Sequence, residues 1–469
     1  MNNKLLLLLV LLFFSLAAMA NVRLPAVIGS NMVLQQKSAV KLWGWSDPGE
    51  KIVVTTSWDN KVDSVKATEN ATWHLTIQTQ VAGGPYTITI KGNNTIVLQN
   101  ILIGEVWVCS GQSNMEMSYY WGLPQMKDDI PLAANPNIRF FQVPKTTSTA
   151  PQERGEGSWV PCEPATVKSF SAVAYYFGKK LNADLNVPIG LIHASWGGTP
   201  AEVWTPAEVV ESNATLKGAA QKLNRSNGWP ITPGYTFNGM IAPITNYSIA
   251  GAVWYQGESN TGTAATYQQL FTSMVEAWRA AWNKEFPFYF VQLAPYAYGN
   301  KNIGALLREA QTKTLSLPKT GMAVITDLAD DTADIHPKNK RDVGIRLANL
   351  ALTNTYHRTV GGATSPSFNN MTVNKNKVSL FFVNAEDGLM QNGKNITGFF
   401  IAGADKVFHP AQAKIDRNTI VLWSKGVTQP TAVRYAFSNT AVGNIFSKTG
   451  LPLAPFRTDD WEVDTSPVK

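Results

Sequence analysis

Four short, almost wholly apolar runs constrain this chain more than anything else in it: Val187 to Ala194, Ala250 to Tyr255, Phe288 to Leu293 and Met322 to Ile325. A strand with one wet face alternates apolar and polar residues; these do not, so each needs cover on both faces. Helix-like stretches supply that cover: Ala172 to Leu185, Ala264 to Trp282, Ile303 to Leu317 and Lys338 to Tyr356. Gly104 to Val108 and Ile138 to Val143 add two more strands. Strands alternating with helices predict a parallel sheet layered between helices. Functional loops of such a sheet gather at the C-terminal ends of its strands.

The flanks read differently. From 21 to 102 the strands Val40 to Trp45, Lys51 to Thr56, Trp73 to Ile77, Tyr86 to Lys91 and Thr95 to Leu102 are separated by turn residues such as Asp47-Pro48-Gly49, with no helical period. From 359 to 469 the strands Val378 to Val383, Gly398 to Ala402, Thr419 to Trp423 and Ala432 to Phe437 repeat that pattern. The expected organisation is a β-domain at 21–102, an α/β domain at 103–358 and a second β-domain at 359–469. Residues 1–20 carry Lys4, an apolar run from Leu5 to Phe14 and Ala18-Met19-Ala20, the three parts of a secretory signal peptide cut after Ala20. No later stretch approaches the 18 or so apolar residues of a transmembrane helix. A secreted or periplasmic protein is expected.

With 44% hydrophobic and 16% charged residues, the 469-residue chain has the material for a large core and is neither disordered nor fibrous. Its net charge of +7 is scattered, without basic runs interleaved with aromatics, which argues against a nucleic-acid partner. The two cysteines, Cys109 and Cys162, either pair across a long loop or sit buried as small apolar residues. No CxxC, HExxH or His/Cys cluster suggests a metal site.

Four polar segments follow strand ends. Cys109-Ser110-Gly111-Gln112-Ser113-Asn114-Met115 would expose the Ser113 hydroxyl beside free backbone N–H groups, although an N-cap serine reads the same way. It is not the G-x-S-x-G elbow, since Met115 stands at the second glycine. Ser195-Trp196-Gly197-Gly198-Thr199-Pro200 and Trp254-Tyr255-Gln256-Gly257-Glu258-Ser259-Asn260 each have a plain turn or cap reading. Among five histidines, His193 lies inside a buried run and reads as a core residue, whereas His336 follows Asp330, Asp331 and Asp334 in a loop ahead of a helix. Carboxylates near an imidazole fix its tautomer and stabilise its charged form, so His336 is positioned to take a proton from Ser113. If the loop is extended, side chains two apart share a side, which favours Asp334 over Asp331 or Asp330 as its partner.

Taken together, Gly111-Gln112-Ser113-Asn114-Met115, Trp196-Gly197-Gly198-Thr199, Trp254 to Asn260 and Asp334-Ile335-His336-Pro337 resemble the successive blocks of the SGNH hydrolases. More closely they resemble the sialate O-acetylesterase family of secreted carbohydrate esterases. Ser30-Asn31-Met32-Val33-Leu34-Gln35 and Pro455-Phe456-Arg457-Thr458-Asp459 extend the resemblance over nearly all of the mature chain. It implies a flavodoxin-like parallel-sheet hydrolase domain flanked by β-sandwich-like domains. It also implies a cofactor-free, metal-independent serine esterase acting on an O-acetylated carbohydrate: Ser113 nucleophile, His336 base, Asp334 orienting it, and an oxyanion hole of Ser113, Gly198 and Gln256. The third block lacks the usual Asn donor, for which Gln256 stands in, with Glu258 and Asn260 as further candidates. The Asp-x-His spacing is one residue shorter than the common one, leaving Asp331 as an alternative acid. Two other functions stay open: the same chemistry on acetylxylan or another polysaccharide, and a carbohydrate-binding protein with an inert hydrolase-like middle.

Overall fold

The structure, a computed structural model, describes residues 21–468. The expected leader at 1–20 lies outside the described residues. Seven strands form the path that carries the polar segments: β1 (Thr95–Gly111), β2 (Asn135–Gln142), β3 (Trp159–Cys162), β4 (Ile189–Ser195), β5 (Gly251–Tyr255), β6 (Phe288–Val291) and β7 (Thr320–Ala323). Their spatial order is β7-β6-β5-β1-β4-β2-β3, and every pair is parallel except β2 with β3. Counting only β1, β4, β5, β6 and β7, the order is 2-1-3-4-5, so the chain reverses its direction of winding between β1 and β5. The crevice at such a switch point is where open α/β sheets place ligands.

Alternation along each strand feeds two separate cores. Val106 and Val108 of β1 and Ala252 and Trp254 of β5 join the core beneath α3 (Ala264–Ala281) and α4 (Ile303–Lys313). Trp107 and Cys109, with Val253 and Tyr255, join the core beneath α2 (Ala172–Leu185) and α5 (Lys340–Asn354). Large rings fill both: Trp107 lies 5.2 Å edge-on from Phe177 and 5.9 Å from Tyr289, and Trp254 lies 6.0 Å from both Trp204 and Trp278. Cys109 and Cys162 are both free and buried, so the small-apolar reading holds and no disulfide forms. Burial raises both thiols, Cys162 to about 12.

The apparent break before Gly104 is not one. Thr95 to Gly111 is a single strand that pairs Gly83–Lys91 along its first half and β4 and β5 along its second. Gly104 does not interrupt it: a Cβ there would sit 2.0 Å from the Pro188 carbonyl oxygen, so glycine permits a close backbone approach. Val33–Gln35, Lys51–Thr56, Val62–Lys66 and Gly83–Lys91 therefore continue the central sheet, which has eleven strands in all, whereas Ala39–Trp45 and Thr72–Gln78 form a two-stranded sheet of their own. Past residue 358 two antiparallel four-stranded sheets and a two-stranded pair enclose a third core around Leu380, Ile401, Leu422 and Val433. This β-rich region is tied to α4 by a two-pronged ion pair from Arg457 to Glu309, at 2.9 and 3.0 Å.

Gly111 ends the central strand under tight constraint. Its φ of +142° and a Cβ position only 2.2 Å from the Tyr255 carbonyl oxygen leave no room for a side chain. Gly111→Ala is expected to cost about 2–5 kcal/mol, combining backbone strain with overpacking, read as a lower midpoint in urea unfolding.

Candidate active site

The strand register assembles the site. Gly111 is paired with Ser195 on one side and Tyr255 on the other, so the chains leaving β1, β4 and β5 emerge at one level. Ser113 opens α1 (Ser113–Glu116), is 9% exposed, and its backbone N–H and that of Gly198 have no acceptor among the described residues. Gln112 does not cap the turn with its side chain. Glu116, one helical turn after Ser113, steadies the glycine loop: its carboxylate accepts the Gly197 N–H at 2.6 Å and pairs with Lys145 at 2.7 Å.

The loop ahead of α5 brings His336. His336 Nε2 lies 3.0 Å from Ser113 Oγ, across 223 positions of sequence. Trp121 packs edge-on against the imidazole, with ring centres 5.7 Å apart. Burial pulls the imidazole below its ordinary value; Lys340 and Lys338 push the same way and Asp334 opposes them. The neutral ring that can accept the serine proton therefore persists to lower pH than in water. A hydroxyl on an imidazole, with unspent N–H groups beside the hydroxyl, is equipped for nucleophilic attack on an acyl carbon.

Asp334 comes near His336 by a different geometry from the extended loop expected of the sequence. Its Oδ1 accepts the His336 backbone N–H at 2.9 Å, a local turn, and stands 3.7 Å from Nδ1, an ion-pair distance rather than a hydrogen bond. Burial would raise the Asp334 carboxyl, but that N–H and Lys338, 3.2 Å away, hold it below the usual range. Asp331 is exposed and accepts the Ala333 N–H, and Asp330 is exposed.

The third segment departs from expectation. Gln256 is fully buried, donates Nε2 to Thr199 O (3.3 Å) and Asn260 Oδ1 (2.8 Å), and accepts from Tyr267 OH (2.8 Å). Both of its amide hydrogens are spent inside the protein, so Gln256 braces the loops instead of facing an oxyanion. Asn260 is equally interior, bonded to Ala201 N and Glu202 Oε2. The neighbouring amide with capacity left is Gln112: its Oε1 lies 3.3 Å from the Gly257 N–H and 3.5 Å from that of Ser259, while its Nε2 has no partner among the described residues. Glu258 is buried against Asn114. His193 is the core residue anticipated, held between Gln142 (2.7 Å) and Ser195 (2.5 Å), its imidazole pulled down by burial to about 3. Sequence reasoning did not single out Glu116, Lys340 or a structural use of Asn114. Only Glu116 carried a signal, lying three residues after Ser113 in a helical turn.

Beside Gly198 opens a cleft of about 380 Å³ lined by Gly198, Trp229, Asn224, Ser259, Thr261 and Ile303. Trp229, Trp121 and Tyr120 remain 39%, 41% and 70% exposed. Among the described residues no helix is long and apolar enough to cross a membrane.

A Ser–His pair at the switch point of a parallel α/β sheet is the layout of an ester hydrolase. The comparisons with known proteins define it further. The profile of the family described as carbohydrate esterase, sialic acid-specific acetylesterase, matches residues 103–353. Human sialate O-acetylesterase is 31% identical over 366 residues, 69% of each chain, and the mouse protein 30% over 404 residues, covering 72% of this chain and 74% of its own. A carbohydrate acetylesterase from Xanthomonas citri superposes with a TM-score of 0.86 at 36% identity, over 94% of this chain and 100% of that one. The chain belongs to the sialic acid-specific acetylesterase family of carbohydrate esterases, and is an ester hydrolase.

Activity should require neutral His336. The acid limb of kcat/KM is therefore expected below the ordinary imidazole value of about 6.5. Asp334 raises the His336 pKa, so Asp334→Asn should move that limb to lower pH while kcat falls by up to about 10⁴. A pH series on both proteins checks the direction; a limb moving up would separate Asp334 from His336.

Proposed function

We propose that the protein is a metal-independent serine O-acetylesterase that removes acetyl groups from acetylated sugars, O-acetylated sialic acid foremost. The observation that carries the reading is the 3.0 Å contact between Ser113 Oγ and His336 Nε2 at the switch point. Ser113 Oγ attacks the ester carbonyl carbon as its proton passes to His336 Nε2. The oxyanion is held by the N–H groups of Ser113 and Gly198, with Gln112 Nε2 in the place first given to Gln256. Collapse breaks the bond to the sugar oxygen, which takes the proton from His336 and leaves. Water, deprotonated by His336, then releases acetate from the acetyl-serine. Asp334 acts through its charge near Nδ1.

Several features support this reading. The 2-1-3-4-5 strand order suits an SGNH-type, flavodoxin-like domain, with β-rich regions before and after it in the chain. The cleft by Gly198, with Trp229 at its wall, pairs an apolar ring with polar groups, a lining suited to a sugar. Residues 1–20 suit a leader for export.

Ser113→Ala is expected to fold normally and lose about 10⁶ in kcat, and a sulfonyl-fluoride probe should label Ser113 in preference to Ser110 or Ser259. The test is acetate release from O-acetylated sialic acid and from acetylxylan, side by side; no release from either would sink the proposal.

Gln112→Ala should lower kcat by about 10²–10³, the usual effect of losing one preorganised donor. Gln256→Ala should instead lower stability, by about 1–3 kcal/mol for the buried partners left unsatisfied. The reverse pattern in kinetics and urea unfolding would return the donor role to Gln256. EDTA should leave the rate unchanged.

A further inference from the structure

The mechanism leaves unused a buried ionisable pair packed against the site. Lys340 opens α5 and is fully buried, and Glu258, in the turn after β5, is 8% exposed. Asn114, the residue after Ser113 and itself fully buried, stands between them. Lys340 Nζ donates to Asn114 Oδ1 at 2.5 Å, and Asn114 Nδ2 donates to Glu258 Oε1 at 2.5 Å. The same Nδ2 reaches the Ile335 carbonyl oxygen at 3.1 Å, and Ile335 is the residue before His336. One amide therefore joins the serine turn, the histidine loop, α5 and the β5 loop.

We propose that Lys340, Asn114 and Glu258 form a positioning array that locks the Ser113 turn to the His336 loop and holds a buried cation beside that loop. This inference rests on the serine-esterase reading above. The chemistry of the amide makes the array directional. Its oxygen can only accept and its nitrogen can only donate, so an ammonium on one side and a carboxylate on the other admit a single orientation of Asn114. That orientation aims an Nδ2 hydrogen at Ile335. An apolar residue of the same size would fill the space without tying the loop. A shift of about 1 Å between nucleophile and base is enough to cost about 10² in rate.

The cation has a second consequence. His336 is faced by Asp334 and Lys338 from its own loop, by Lys340 from α5, by the Trp121 ring and by Ser113. Lys340 in turn is faced by Glu258, Lys338, Asp334 and the Tyr255 ring, 5.1 Å from Nζ. Of the groups facing His336, Asp334 favours the imidazolium while Lys340 and Lys338 disfavour it. Lys340 thus helps keep the base free of its proton.

The test uses the full chain and 4-nitrophenyl acetate, whose small leaving group makes no demand on the sugar cleft. Asn114→Leu and Lys340→Met should each lower kcat by about 10², with KM within about twofold. Lys340→Met should also move the acid limb of kcat/KM to higher pH, opposite to Asp334→Asn, whereas Asn114→Leu keeps the cation. Because Lys340→Met leaves Glu258 without its counter-charge, Lys340→Met/Glu258→Gln is made alongside it, with no buried charge left unpaired. The double variant should regain thermal stability but neither the rate nor the original limb. Recovery of the wild-type rate with the fold, or a limb unmoved in a folded Lys340→Met or double variant, overturns the proposal. Ser113→Ala serves as the control: if it still turns over, the esterase reading fails; if it is inactive while the array variants match wild type, only the array fails.

Discussion

The parallel register that sets Gly111 opposite both Ser195 and Tyr255 is the constraint on which the rest depends. Three loops leave the sheet one residue beyond that row, starting at Gln112, Trp196 and Gln256. The row is pinned where β1 and β5 approach too closely for a Cβ at Gly111. A slip of one residue along β1 would turn Trp107 and Cys109 toward the core now filled by Trp254 and Trp278, so packing on both faces defends the register. The geometry of the Ser113–His336 pair is thereby inherited from core packing: a hydroxyl and an imidazole 223 positions apart meet at 3.0 Å because the strands beneath them cannot shift.

Above that row hydrogen bonds and charges tie the site loops to one another. Glu116 fixes the glycine loop through Gly197, Gln256 and Asn260 brace the β4 and β5 loops from inside, and Asn114 ties the serine turn to the histidine loop. A buried lysine and glutamate are costly to desolvate, and an apolar pair of equal volume is often as stable or more so. Their placement next to His336 is better explained by orientation than by stability. By contrast the surface pair Lys319 with Glu285, at 3.7 Å, contributes about 1 kcal/mol at most.

The sheet was legible because β4 to β7 are apolar on both faces, and helix α2 was legible to its ends because Ser171 caps it and Asn186 closes it in a left-handed conformation. The 17-residue β1 reads from sequence as two strands meeting near Gly104, because sequence does not show the Pro188 carbonyl that requires the glycine. Ser113 and His336 could be singled out because strand-end placement selects few residues. Asp334 came near His336 through a backbone turn that no periodicity predicts. Gln256 reads from sequence as a free donor at a strand end, whereas its side-chain direction there is set by Tyr267 and Asn260, which pack on it from elsewhere. Lys340 in the first turn of a helix reads from sequence as a surface lysine, and only the packing of α5 against Tyr255 reveals its burial.

Burial and charge near His336 act in a complementary order. Desolvation draws Lys340 down to about 7, with Glu258 opposing, so its charge is largely lost above neutrality and complete in mildly acid solution. Mildly acid solution is where an imidazole would otherwise take up a proton and cease to be a base. The cation is therefore strongest where the histidine most needs help staying neutral, and it fades where the histidine is neutral unaided. Glu258, whose own carboxyl burial raises, acts on Lys340 in the opposite sense to desolvation and favours its ammonium form. Such a pair biases the base loop toward the proton-accepting state without touching substrate, and Asn114 lets that bias and the Ser113 to His336 spacing reside in one set of buried contacts.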